Sequence, residues 1–328
     1  MTTERSPIKR STTLWGFPLV VLSAVAFYTY NNLMNLKPSH LSLCTQLSYS
    51  PEAATITANG QSSSLSSFQA FDKERRLLKY FQTYHYVQAP KDRLLRPLPS
   101  KICGGAPDFD EYFEQDFMSR SRFHEDKAIY NLFFKDQIMN DTQTGTYIEL
   151  GAFDGMRESN TRFFEECLGW KGLLLEGNPE RYMALIGNRP FSHRMNVAPS
   201  CSAEYERVNG TISFHAFPWT NAGLQGVTSA YVNKTTIEVP CGPLGPILAD
   251  VFEGHESINF FSLDVELAEK MVLETIDFSS IPRIDILMIE SANTMCPEGK
   301  CQSTQDVRTL MHAAGYLRYE GVIRDSDL

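Results

Sequence analysis

The run YIELGAFDGMRESNT, residues 147–161, decides how the rest of the chain is read. Tyr147 to Leu150 are strand formers that end on an acid, Glu149, and a glycine, Gly151. The chain then turns through Ala152, Phe153, Asp154 and Gly155, and Ser159-Asn160-Thr161 follows as a helix start. Glycines in such a turn let backbone pass close to a ligand at the head of a helix, with no Cβ in the way. The pattern predicts a nucleotide-type crevice at a strand tip. Its spacing is not G-x-G-x-x-G, so an NAD-dependent oxidoreductase fits poorly. An acid in the turn would repel a pyrophosphate and suit a cationic sulfonium with its amino-acid tail.

Downstream, apolar runs alternate with helical patterns: RFFEECLG, GLLLEG, PERYMALIG, HRMNVA, then INFFSLDVE, AEKMVLETI, IDILMIE, TQDVRTLMHAAG and a last strand expected in YLRYEGVI. That alternation predicts βαβ units on a parallel sheet. Asn178 before Pro179 reads as a cap followed by a first-turn proline. The second strand ends in Glu176, 25 residues after Gly151. An acid at that place in a parallel sheet can accept hydrogen bonds from both hydroxyls of a ribose. The alternative is that Glu149 and Glu176 are strand-end carboxylates satisfied by helix N-termini.

Between the two halves the pattern is less regular. Asn209-Gly210, flanked by YERV and TISFHAF, predicts a β-hairpin with a primed turn, TTIEVP a strand and GPILADVF a helix. Upstream, FDKERRLLKYFQTY predicts a helix with Phe71, Leu78 and Phe81 inward, and the proline-rich stretch from Ala89 to Pro107 a loop. SRFHEDKAIYNLFF predicts a helix capped by Ser121, with Glu125 and Asp126 in its first turn and Phe123, Tyr130 and Phe133 inward.

The 328 residues carry a formal net charge of -9 and no compensating basic stripe, so nucleic acid is excluded as an expected partner. No charge interrupts Ser11 to Leu36, and residues 14–33 are expected to anchor the chain in a membrane. Arg5, Lys9 and Arg10 precede the span, which keeps residues 1–13 cytosolic. The expectation is a single-pass type II protein of the endoplasmic reticulum, Golgi or wider endomembrane system, with its C-terminal domain lumenal. The alternative is a cleaved signal, with Ala24-Val25-Ala26 at the cut and a secreted product. A flexible stem over 34–67 and a helix-and-loop lead-in over 68–120 then precede a folded domain at 121–328. Sequons at Asn140, Asn209 and Asn233 and seven cysteines agree with an oxidising lumen, where Cys296 and Cys301 are the expected local bridge. No metal site is expected.

Taken together, YIELGAFDG, the SNT after it, GWKGLLLEGNP and SLDVELAE resemble the FkbM family of S-adenosylmethionine-dependent methyltransferases. The SxFxEDK helix matches as well, so the resemblance covers roughly Ser121 to Ile323. With its anchor, the chain is most similar to Star-like membrane proteins. The resemblance implies a class I methyltransferase fold, Rossmann-like, with a seven-stranded sheet whose last strand is antiparallel, carrying here a β-hairpin insertion. It implies S-adenosylmethionine as cofactor, with Gly151, Ala152, Asp154 and Gly155 about its methionine part, Glu176 and Asn178 at the ribose, Ala198 to Cys201, Ser200 included, at the adenine, and Glu149 and Asn160 also among the cofactor-binding residues. Asp264 would be the catalytic base or acceptor-orienting group, supported by Glu266 or Glu269; the alternative for these two is a pair of first-turn charges favoured by the helix dipole. The acceptor implied is a hydroxyl, on a glycan or a small molecule. The other function the resemblance allows is a domain without turnover that binds a client membrane protein. Leu267 stands where the family usually has Gly and is expected to narrow the acceptor pocket. His193, His215 and His255 are candidate accessory bases, and Trp219 and Tyr231 candidate sugar-stacking rings.

Overall fold

Leu173 to Glu176 are buried throughout, and so are Thr146 to Leu150, which is what strands covered on both faces require. The computed structural model describes residues 73, 75–90, 101–140, 144–216, 222–224, 235–291, 302–321, 323 and 326–328. Residues 14–33, Asn233, Trp219, Tyr231, Cys296 and Cys301 lie outside them, so the expected anchor, two of the candidate contacts and the expected bridge do too. Among the described residues no helix is long and apolar enough to cross a membrane.

The strands are β1 Thr146–Leu150, β2 Lys171–Glu176, β3 His193–Asn196, β4 Thr211–Ala216, β5 Gly223–Leu224, β6 Thr235–Pro240, β7 Ser257–Leu263, β8 Arg283–Glu290 and β9 Ser326–Asp327. The central sheet runs β3-β2-β1-β7-β8-β9, parallel except for β9. Alternating side chains feed two cores. Ile148, Leu150, Leu173 and Phe261 face one layer with Leu77, Tyr80, Leu248 and Val307, and Tyr147, Leu174 and Phe260 face another with Tyr112, Tyr130 and Phe163. The result is an α/β/α sandwich, with the described helices layered on the two hydrophobic faces of the sheet.

Several expectations are corrected. The described sheet has six strands instead of seven, because Tyr316 to Glu320 form no strand. Tyr316 N–H bonds back to Met311 O as a helix end and Leu317 is 88% exposed; the antiparallel last strand is Ser326–Asp327. Asn209-Gly210 ends a helix, Ala203–Val208, and turns no hairpin: Ser202 caps that helix and Gly210, at φ +70°, closes it onto Tyr205 O. β4 pairs instead with β5 and with the distant β6 in a separate three-stranded antiparallel sheet. The helix over 75–83 buries Leu77 and Tyr80 and leaves Leu78 and Phe81 exposed. Its tyrosine bonds Asp250 through the hydroxyl at 2.7 Å, which lets a polar-tipped ring take the inward face. The helix Glu125–Ile129 starts after His124 in the left-handed region, Ser121 bonds Asp126, and Phe123 stays outside.

Among the described residues two disulfides cross-link the fold, Cys103–Cys167 and Cys201–Cys241. The first ties the lead-in to the segment before β2. The second ties the segment after β3 to the end of β6.

Candidate active site

Strand register sets the site. Leu150 lies opposite Leu175 and Leu263, Glu176 opposite Asn196, and Leu263 opposite Ile289. The C-terminal edge of the sheet therefore reads Ala198 and Ser200, Glu176, Gly151, Asp264, Glu290 across five neighbouring strand tips. All six residues line one cavity of about 360 Å³. Ligands collect outside the carboxyl ends of parallel strands for this reason.

Gly151 sits at φ +88°, and a Cβ there would lie 1.8 Å from the Asp264 carbonyl oxygen. Close approach is needed, then, but to the neighbouring strand tip and not only to a ligand. Gly155 likewise makes room for Leu185 and the Arg189 stem, away from the cavity. Asp154 accepts from Met156 N–H and Arg157 N–H at 2.9 Å each and closes its own turn. Asn178 accepts from Glu180 N–H at 3.0 Å as the expected cap. None of Asp154, Gly155 and Asn178 lines the cavity, so their expected cofactor roles give way to structural ones.

Glu149 lines the cavity but is consumed internally. Its carboxylate accepts from Ser159 Oγ, Asn160 N–H and Thr161 Oγ1 at 2.8, 2.7 and 2.6 Å, with Arg189 at 3.7 Å. Arg189 is itself fully buried and ion-paired to Glu165 at 3.0 Å, and it donates to Gly155 O, Ser159 Oγ and Tyr147 Oη. A buried arginine satisfied on all sides holds the turn after β1 rigid. Nothing near Arg189 in the sequence signals this, because its partners lie 24 to 42 residues away. Asn160, freed by that anchoring, lines the cavity and donates through Nδ2 to Ser262 Oγ at 3.0 Å.

Glu176 is the link between two tips: Phe153 N–H donates to Oε2 at 2.7 Å and Asn178 N–H to Oε1 at 2.6 Å. Each oxygen keeps a lone pair toward the cavity for a further donor. Burial pushes this carboxyl up to about 7, against the pull of the two backbone bonds.

The β7 tip gathers acids. Asp264 and Glu266 line the cavity, whereas Glu269 turns away and accepts from Val265 N–H and Leu267 N–H at 3.1 and 3.3 Å. Glu269 thus caps its own turn, as the alternative reading has it, and burial pushes it up to about 7. Glu266 and Leu267 both take left-handed backbone, φ +56° and +77°. The Leu267 side chain does not reach the cavity, so the expected narrowing is corrected: leucine keeps the turn that glycine would make without strain. Asp264 is open to the cavity, and burial raises its pKa against the lowering pull of the Glu290 hydrogen bond and of Arg122.

Four lining residues were not anticipated from sequence. Glu290 follows an apolar strand and reads as its end, yet it hydrogen-bonds Asp264. Arg122 and Glu158, 3.6 Å apart, close the cavity from the lead-in side, with Glu125 beside them. In all the lining holds seven carboxyl groups, one of them held by Arg189, and two arginines, so its field favours a cationic ligand. At the β3 end, Val197, Ala198, Phe214 and Leu224 make an apolar slot. His193, His215 and His255 do not line it; burial drives His193 down to about 4 beneath Tyr86. Among the described residues no group of His, Cys, Asp and Glu is arranged to hold a metal.

Residues 149–318, over half of the chain, match the family model of the methyltransferase FkbM domain. No curated protein matches the chain.

Proposed function

The chain belongs to the FkbM methyltransferase family, and we propose that its strand-tip cavity binds S-adenosylmethionine and transfers the methyl group to a hydroxyl acceptor. The observation that carries this reading is the convergence of Gly151, Glu176 and Asp264 on one acid-rich cavity with an apolar slot at its far end. The residues fit the group. The slot between Ala198, Ser200 and Phe214 takes a flat base, the open lone pairs of Glu176 take a vicinal diol, and the carboxylate excess takes a sulfonium and an ammonium. Bound there, S-adenosylmethionine supplies a methyl group on a positively charged sulfur. Asp264 orients the acceptor hydroxyl and takes its proton as the new bond forms. Glu266, two residues on, shapes the acceptor side.

The compartment belongs to the same proposal. The Cys103–Cys167 and Cys201–Cys241 bridges support an oxidising lumen, and the uncharged run at 14–33 with its preceding basic residues supports a type II anchor. A glycan is the hydroxyl acceptor such a lumen offers. Asn209 is exposed and carries its sequon on the helix end, so Asn209→Gln removes one glycosidase-sensitive step in gel mobility from protein made in secretory cells. Mobility unchanged by glycosidase would contradict the lumenal placement.

Calorimetry of the full-length protein with S-adenosylmethionine and its demethylated product tests the cofactor reading. Saturable binding lost in Glu176→Gln supports it. Absence of binding at millimolar ligand overturns it and leaves the client-binding role.

A further inference from the structure

Parallel β7 and β8 place Leu263 opposite Ile289, so the next residue on each strand, Asp264 and Glu290, stands at neighbouring tips. Both line the cavity and their side chains hydrogen-bond each other. Two carboxylates have no proton to share; a bond between them requires that one be a carboxylic acid. The surrounding charges decide which. Asp264 faces Arg122, and it also faces Glu125 and Glu158 from the lead-in wall. Glu290 faces Asp264, Glu266 and Glu269, each of which disfavours a negative charge on it. The negative charge therefore settles on Asp264 and the proton on Glu290. Pairing of the Glu290 backbone with Ser326 of β9 holds the donor in place.

We propose that Glu290 is a positioning residue: as a neutral carboxylic acid it donates to Asp264, fixes the direction of that carboxylate and keeps the pair at a single negative charge. This rests on the reading that Asp264 faces the acceptor. The proton balance follows. Before reaction the pair holds one proton, on Glu290. The acceptor O–H would give its proton to Asp264 while its oxygen gains the methyl carbon, whose bond to sulfur breaks and leaves the electron pair on the now uncharged sulfur. The pair then holds two protons, and one leaves to water through the cavity.

The Asp264 charge, with burial second, pushes Glu290 far above the ordinary carboxylate range, to about 11. Asp126, Glu176 and Glu269 are each pushed up to about 7. Infrared spectra of the ligand-free full-length protein at about pH 9 therefore separate Glu290 from these three. We expect one protonated carboxylic C=O stretch in the wild type, lost in Glu290→Gln and shifted in Asp264→Asn. A wild-type spectrum without that band, or a band that survives Glu290→Gln, overturns the proposal. A second reading uses the ratio of affinities for S-adenosylmethionine and its uncharged demethylated product at about pH 7.5, which reports negative charge beside the sulfur. Glu290→Gln keeps the ratio within about twofold and Asp264→Asn lowers it about tenfold. A fall as large in Glu290→Gln means that Glu290 carries charge and contradicts its role. If neither compound binds, the cofactor reading fails while the infrared result still decides the state of the pair.

Discussion

At the scale of single residues the site divides into groups that bond only protein and groups that keep capacity for a ligand. Glu149 and Glu176 look alike in sequence, each the last acid of a buried strand, yet Glu149 is saturated by four partners, whereas Glu176 has two and keeps accepting capacity on each oxygen. Glu176→Gln should weaken cofactor binding by about 1.5 to 3 kcal/mol, roughly tenfold to a hundredfold, the value of hydrogen bonds to a charged acceptor. Calorimetry measures it directly. The ionised form accepts from the diol and burial puts the free carboxyl near 7. Affinity should then be full above pH 7 and fall as pH drops through it, by up to about tenfold per unit. Leu267 gives a second residue-scale prediction. At φ +77° a leucine is strained and a β-branched residue more so. Leu267→Gly should hold or raise thermal stability by up to about 1 kcal/mol, and Leu267→Val should lower it; a valine variant as stable as wild type would contradict the strain.

Among elements, the turn after β1 owes its shape to a helix residue far along the chain. Arg189, at the end of the helix Pro179–Asn188, pairs with Glu165 and lies against Glu149 in a fully buried network. Arg189→Met should cost about 3 to 5 kcal/mol, since it leaves buried carboxylates unpaired, and chemical denaturation measures that loss. The Cys201–Cys241 bridge, closing a loop with a separation of 40 residues, should contribute about 4 kcal/mol through the unfolded chain. Its double alanine variant should melt earlier and bind adenine-bearing ligands more weakly, because Ser200 lies beside it. What could be read from sequence follows the same division. β1, β2, β3, β7 and β8 were legible because buried parallel strands alternate with amphipathic helices. That the acids at 176 and 264 line one cavity was legible because both stand at the carboxyl ends of parallel strands. Arg189, Glu290 and the disulfide pairings were not, because their meaning lies in partners that only the fold brings near. The turn at Asn209-Gly210 misled because one dipeptide serves a hairpin and a helix end equally well, and the capping Ser202 seven residues earlier decides between them.

Over the whole molecule the buried acids shape the pH response. Asp126, Glu176 and Glu269 keep protons in the folded state up to about 7, and Glu290 beyond that, whereas the unfolded chain releases them near the ordinary carboxylate values. Between those limits the folded state binds more protons, so the stability of the ligand-free protein falls as pH rises, and melting should peak near about pH 5. A cationic ligand reverses that trend by pairing with the ionised acids. Stabilisation by a ligand at a hundred times its dissociation constant is about 2.7 kcal/mol, enough to move the melting curve visibly. The most direct test of the central claim is calorimetric titration of S-adenosylmethionine into the full-length protein and its Glu176→Gln variant at about pH 8. The account predicts saturable one-site binding in the wild type, weakened at least tenfold in the variant. Equal heats in both proteins, or none in either at millimolar ligand, would mean that the strand tips at Gly151, Glu176 and Asp264 do not form a cofactor site.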